Sequence, residues 1–157
     1  MTPSVSNELI TKQIFAFLHE TFGNVNGIYL DRGTSLTETL AAISAVTASR
    51  PGTEGGTSIA GHVDHIRFYL RVMNDYMDGK TIEKLDWKQS WLRHTVTEAE
   101  WDELRQQIRD DYEQLSAHLE NFDDWNNERR FSGALGAIVH TAFHIGAIRQ
   151  IAKVVGK

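Results

Sequence analysis

Apolar residues recur at helical spacing in five stretches of the chain, and no run alternates with the period of a strand for long enough to compete. The first stretch runs from about Val5 to Phe22, where Leu9, Ile10, Ile14, Phe17 and Leu18 form one stripe, Pro3 suits the first turn and Gly23 is a natural stop. Ser35 and Glu38 have the spacing of a capping box and open a short helix that Leu36, Leu40, Ile43 and Val46 carry to about Ala48. Pro51, Gly52, Gly55 and Gly56 break the pattern before a longer helix from about Thr57 to Met77, closed by Gly79. Between Lys80 and Val96 the periodicity is lost, although Trp87, Trp91 and Leu92 give the segment apolar mass and predict a packed crossover. Thr97 and Glu100 form a second capping box, followed by the clearest amphipathic stripe: Trp101, Leu104, Ile108, Tyr112, Leu115 and Leu119. After a polar segment from Asn121 to Arg130, Ser132 is the expected cap of a last helix reaching about Val155.

This pattern predicts an all-α protein, an antiparallel four-helix bundle with a long crossover between the second and third long helices. The length, 157 residues, suits one domain spanning 1–157 that can hold a core without a metal or disulfide. The absence of cysteine excludes disulfides, iron–sulfur clusters, Cys-ligated zinc and a thiol nucleophile. A formal charge of −5 argues against nucleic acid or anionic lipid as a partner. With no signal-peptide pattern at Met1 to Ile10 and no run of 18 apolar residues, a cytoplasmic protein that spans no membrane is expected.

Candidate chemistry sits on two of the predicted helices. His140 and His144 are one turn apart on the last helix, so both imidazoles face one direction and can reach one ion. No glutamate lies between them, which removes the zinc-protease motif. Gly133, Gly136, Ala137 and Ala147 flank that face and predict space beside the imidazoles. If Ile59, Ile66, Tyr69 and Met73 are the inward stripe of the 57–77 helix, His62 shares it and His65 lies at its edge, which makes His62 the expected third ligand. Three buried imidazoles without a shared partner would each bear a desolvation cost, so convergence favours a metal. Asp64 is read as a solvated acid, and with His65 it is a weak candidate for a general base. His19, His94 and His118 are read as surface residues, Arg149 as the partner of an acid between helices ahead of a binder of an anionic substrate, and Trp87, Trp91 and Trp125 as a roof or as packing.

The segment around Ile59 to His62, with His140-x-x-x-His144 and Gly146-x-x-Arg149-Gln150 some 80 residues later, resembles the DinB/YfiT-like superfamily over nearly the whole chain. The resemblance implies a four-helix bundle with a metal held by one histidine of the second long helix and two of the last, here His62, His140 and His144. It also implies a metal-dependent enzyme acting on a small molecule, for some members transfer low-molecular-weight thiols to electrophiles and others are described only as hydrolases. Three neutral imidazoles leave a divalent ion an open position, and an all-histidine shell suits zinc or nickel alike. Lacking both a cysteine and a glutamate near the ligands, the chain points to thiol transfer slightly ahead of hydrolysis. The competing class is a non-enzymatic binding protein: a helix bundle that holds a metal or haem, or a homodimer whose histidines are incidental.

Overall fold

The computed structural model describes residues 5–82, 84–120, 122 and 124–156, so Pro3 and Asn121 lie outside the described residues. Among these the regular structure is helical, with a single bridge between Pro51 and Ser58 in place of any strand. The long helices are α1 (Asn7–Phe22), α4 (Ile59–Met77), α5 (Glu98–Glu120) and α6 (Glu128–Val155), with the short α2 (Leu36–Ala41) and α3 (Ala45–Ala48) between α1 and α4. A 3-10 helix, Trp87–Trp91, sits in the crossover from α4 to α5. The core runs along the bundle axis through Leu18, Phe22, Ile59, Val63, Ile66, Leu70, Leu104, Leu115, Ile145 and Ile148, all at most 1% exposed.

Most helix starts follow from their caps. Ser6, Ser35, Ser44 and Ser58 each accept a backbone N–H from three residues on. Both capping boxes form: Ser35 with Glu38, and Thr97 with Glu100, whose backbone N–H groups bond the opposite side chains. Two expectations are corrected. The helix read from Ser35 to Ala48 is broken in two, because the chain tightens at Ile43, whose N–H bonds Leu40 O at 3.2 Å, and Ser44 caps a new turn. The freed Ile43 carbonyl accepts the buried Trp101 indole N–H at 2.7 Å. The last helix starts a turn early, capped by Asn127 and not by Ser132, since Arg129 and Arg130 find aromatic partners in Tyr76 and Phe122.

The loop after α1 is wound around one carboxylate. Glu20 is 0% exposed, and its oxygens accept the backbone N–H groups of Asn26, Ile28, Tyr29 and Leu30 at 2.6–3.0 Å. Burial alone would raise its pKa, but these four donors together lower it from 4.5 to about 2. The folded carboxyl therefore ionises more readily than the unfolded one, and its stabilising contribution is complete above pH 4.5 and lost as pH falls toward about 2. Glu20→Gln leaves at least one buried donor facing an NH2 group, and urea denaturation at pH 7 should show a loss of roughly 1–3 kcal/mol. An unchanged midpoint would show that the loop holds without the carboxylate.

Candidate metal centre

Helices α4 and α6 pack side by side and antiparallel, and side chains meet in steps along their seam. A Cβ on Gly133 would lie 2.5 Å from Met73 Cε, and one on Gly136 would lie 2.6 Å from the Tyr69 hydroxyl. The small residues of α6 thus receive large residues of α4, and the space expected beside them is filled. One turn further, the Tyr69 ring stacks on His140, with centroids 4.3 Å apart. Next come His65, 5.0 Å by ring centroid from both His140 and His144, and then His62, 5.2 Å from His144.

Three histidines are thereby positioned to bind a metal ion: ring nitrogens of His65, His140 and His144 all lie within 4.8 Å of one another. The expected triple had His62 in place of His65. In the structure His62 adjoins the cluster through His144, their Nδ1 atoms 2.9 Å apart, and is not one of the converging three. The difference is one of rotation. The deepest positions of α4 are Ile59, Val63, Ile66 and Leu70, each 0% exposed, whereas Tyr69 and Met73 belong to the edge that meets α6. His65 would face solvent on a bare helix, but the 3-10 helix covers it: Trp91 stacks on its ring at 3.9 Å and leaves it 6% exposed.

The crossover is pinned so that this cover stays in place. Ser58 Oγ donates to His94 O at 2.6 Å, Val96 N–H donates to Ser49 Oγ at 3.0 Å, and Asp86 caps the 3-10 helix. Ser90, which sequence reasoning passed over, is buried between Trp87 and Trp91. Its one hydroxyl proton goes to Trp87 O at 2.7 Å, so its contact with His65 Nδ1, also 2.7 Å, requires that imidazole to donate. His65 is thereby set as the Nδ1–H tautomer with its Nε2 lone pair free. His62 and His144 share one proton between Nδ1 atoms 2.9 Å apart, and the tautomer in which His144 donates it leaves the His144 Nε2 lone pair free for a metal. His140 Nε2 is buried with no hydrogen-bond partner, the kind of orphaned atom that a metal ion satisfies.

Electrostatics suit a cation that needs neutral ligands. Burial lowers the pKa of His62 and His140. Burial first, then the neighbouring imidazoles, brings His65 to about 4, despite Asp64, and His144 to about 3. Asp64 is not a solvated acid: it is 8% exposed and pairs with Arg67 Nε at 3.2 Å and Arg93 Nε at 3.5 Å. His19 and His94 are exposed, while His118 is half-buried and pairs with Asp78 at 3.1 Å. Arg149 is half-buried and absent from the ion pairs of the described residues. Trp125 packs at the far end of the bundle, donating to Thr11 Oγ1 at 2.7 Å, so the roof is made by Trp87 and Trp91 alone.

A family model described as the DinB superfamily matches residues 29–148. The crystal structure of a conserved protein from Enterococcus faecalis shares the fold with a TM-score of 0.64 at 15% identity, covering 98% of this chain and 100% of that one. No curated protein matches the chain.

Two outcomes follow from this geometry. Ser90→Ala removes the acceptor that fixes the His65 tautomer and should weaken divalent-metal binding by roughly 10–100-fold in calorimetry, with helical circular dichroism intact. The metal-free protein should also lose stability as pH falls from about 6.5 toward about 4, because the unfolded chain then takes up protons that buried His65 and His144 refuse. Thermal melts of chelated and metal-loaded protein test this, and a chelated melting point that stays flat between those values would contradict it.

Proposed function

Because the chain belongs to the DinB superfamily, we propose that it is a metal-dependent enzyme whose divalent ion is held by His65, His140 and His144, and that it transfers a low-molecular-weight thiol to an electrophile. The observation that carries this reading is the convergence of three neutral imidazoles around the unpartnered His140 Nε2. A divalent ion bound there would supply Lewis-acid charge that favours the anionic form of a thiol or of water at neutral pH.

Thiol transfer is favoured over hydrolysis by what the surrounding residues can do. A hydrolase needs a free base, yet Asp64 is committed to two arginines and His65 to Ser90. The chain has no cysteine, so a nucleophilic sulfur must come from a cosubstrate. The roles left to the protein are to hold, desolvate and orient. Trp87 and Trp91 exclude water above His65, and Ser90 and His62 orient two of the imidazoles.

Two clefts border residues that surround the cluster, Trp87 in one and His62 in the other, and are of a size that suits small reactants. One of about 460 Å3 lies on the Trp87 side, with Tyr76, Met73 and the Arg129 guanidinium in its walls; the other, about 320 Å3, opens at His62 beside Thr57 and Gln150. Zinc and nickel both suit the donor set.

The test is conjugation of a panel of cellular thiols to a chromogenic electrophile by metal-loaded, untagged protein. The expected result is a metal-dependent rate that falls to that of the chelated protein in His140→Ala, together with a thiolate-to-metal charge-transfer band in the Co2+ form. Metal-dependent cleavage of esters or amides without any thiol effect would replace this reading with hydrolysis. Bound metal with neither activity nor charge-transfer band would point to a binding protein.

A further inference from the structure

At the end of the α4–α6 seam away from His62, residues of the two helices and of the crossover enclose the cleft of about 460 Å3. Its walls are Val72, Met73, Ile82, Leu85 and the rings of Tyr76 and Trp87, and Arg129 is the one charged side chain among the described residues that line it. Arg129 Cζ lies 4.2 Å over the Tyr76 ring. That contact uses the flat face of the guanidinium and leaves its N–H groups, which lie in the plane, to a ligand. Among the described residues no carboxylate pairs with it. Asp75 and Asp78, the acids nearest Tyr76 in sequence, are held by Lys80, and Asp78 by His118 as well.

We propose that this cleft binds a small organic carboxylate with an apolar body, the carboxylate on Arg129 and the body against Met73, Leu85 and Trp87. The planar guanidinium fork matches a carboxylate through two parallel hydrogen bonds, and the Tyr76 ring fixes the plane of the fork before the ligand arrives. One cation in an otherwise apolar wall selects for a ligand with one charged end and an apolar remainder, because a wholly polar anion would lose water at the walls with nothing in return. The cleft at His62 has the opposite character: Thr53, Thr57 and Gln150 line it without a lysine or arginine, so an anion finds no partner there.

The site is separate from the metal centre and touches its roof. Arg129 and His140 lie on the same helix, about 16 Å apart along its axis at ~1.5 Å per residue, so the carboxylate does not sit at the metal. Trp87 is the shared wall: its ring is 6.3 Å by centroid from that of His65 and is braced edge-on by Phe68 at 5.4 Å. A ligand in the cleft therefore packs on the residue that helps to cover His65. The proposal goes beyond the reading of the metal centre and does not depend on it.

The experiment is calorimetric titration of full-length, untagged protein, kept free of metal by chelator so that no ion can take the carboxylate. The probes are 4-phenylbutyrate, its neutral amide and acetate. The expected result is binding of 4-phenylbutyrate to one site, with the amide, which lacks the charge, and acetate, which lacks the body, each weaker by about tenfold or more. Arg129→Gln should weaken 4-phenylbutyrate by about tenfold or more and leave the amide unchanged, while Arg129→Lys, which keeps the charge but not the fork, should fall between. Arg129 is exposed, so thermal melts of both variants should match the parent. No heat from 4-phenylbutyrate up to ~10 mM would overturn the proposal, as would an amide or acetate that binds equally well or an Arg129→Gln variant that binds like the parent. Because binding is read without metal, failure of the thiol-transfer reading would leave this result standing.

Discussion

The register of α4 against α6 governs the rest of the structure. Met73 against Gly133, Tyr69 against Gly136 and then against His140 fix the two helices along their seam, and that fit carries His65 and His62 to the level of His140 and His144. Sliding either helix by one turn would move each imidazole about 5.4 Å and drive Met73 or Tyr69 into a residue with a side chain. The glycines of α6 thus set the position of the site without touching its chemistry.

The crossover then turns a shared edge into a dry site. A four-helix bundle leaves the outer shoulder of each helix to water, and His65 lies on such a shoulder. Trp91 stacked over it and Ser90 bonded to it remove the water, hold the imidazole neutral and choose its tautomer together. Loss of water has an electrostatic consequence as well: desolvation and mutual repulsion favour neutral imidazoles at pH 7, the form that a metal ion binds. Asp64, next in sequence, opposes this shift at His65 but is paired with Arg67 and Arg93 and does not outweigh burial.

Much of the fold was legible in the sequence because it is written in local patterns. The two capping boxes, the stripe from Trp101 to Leu119 and the loss of period between Lys80 and Val96 each depend on residues a few positions apart, and each marks an element or its end in the structure. The break at Ile43 was not legible, since it is stabilised by an indole 58 residues away. The i, i+4 pair on α6 was readable for the same local reason as the caps. Which histidine of α4 joins it was not, because a helical wheel of α4 shows where the bundle lies but not which shoulder the crossover covers. Ser90 had no signal at all: its role exists only through Trp87 O and His65 Nδ1.

The central claim is that the α4–α6 register gathers His65, His140 and His144 as the donors of one divalent ion, with His62 hydrogen-bonded behind them. Anomalous diffraction from crystals of untagged protein loaded with zinc or nickel tests it most directly. The expected map has one strong peak about 2.0–2.1 Å from a ring nitrogen of each of those three residues, with His62 outside that distance. A peak bonded to His62 in place of His65, or no peak at the cluster in metal-soaked crystals, would contradict the account.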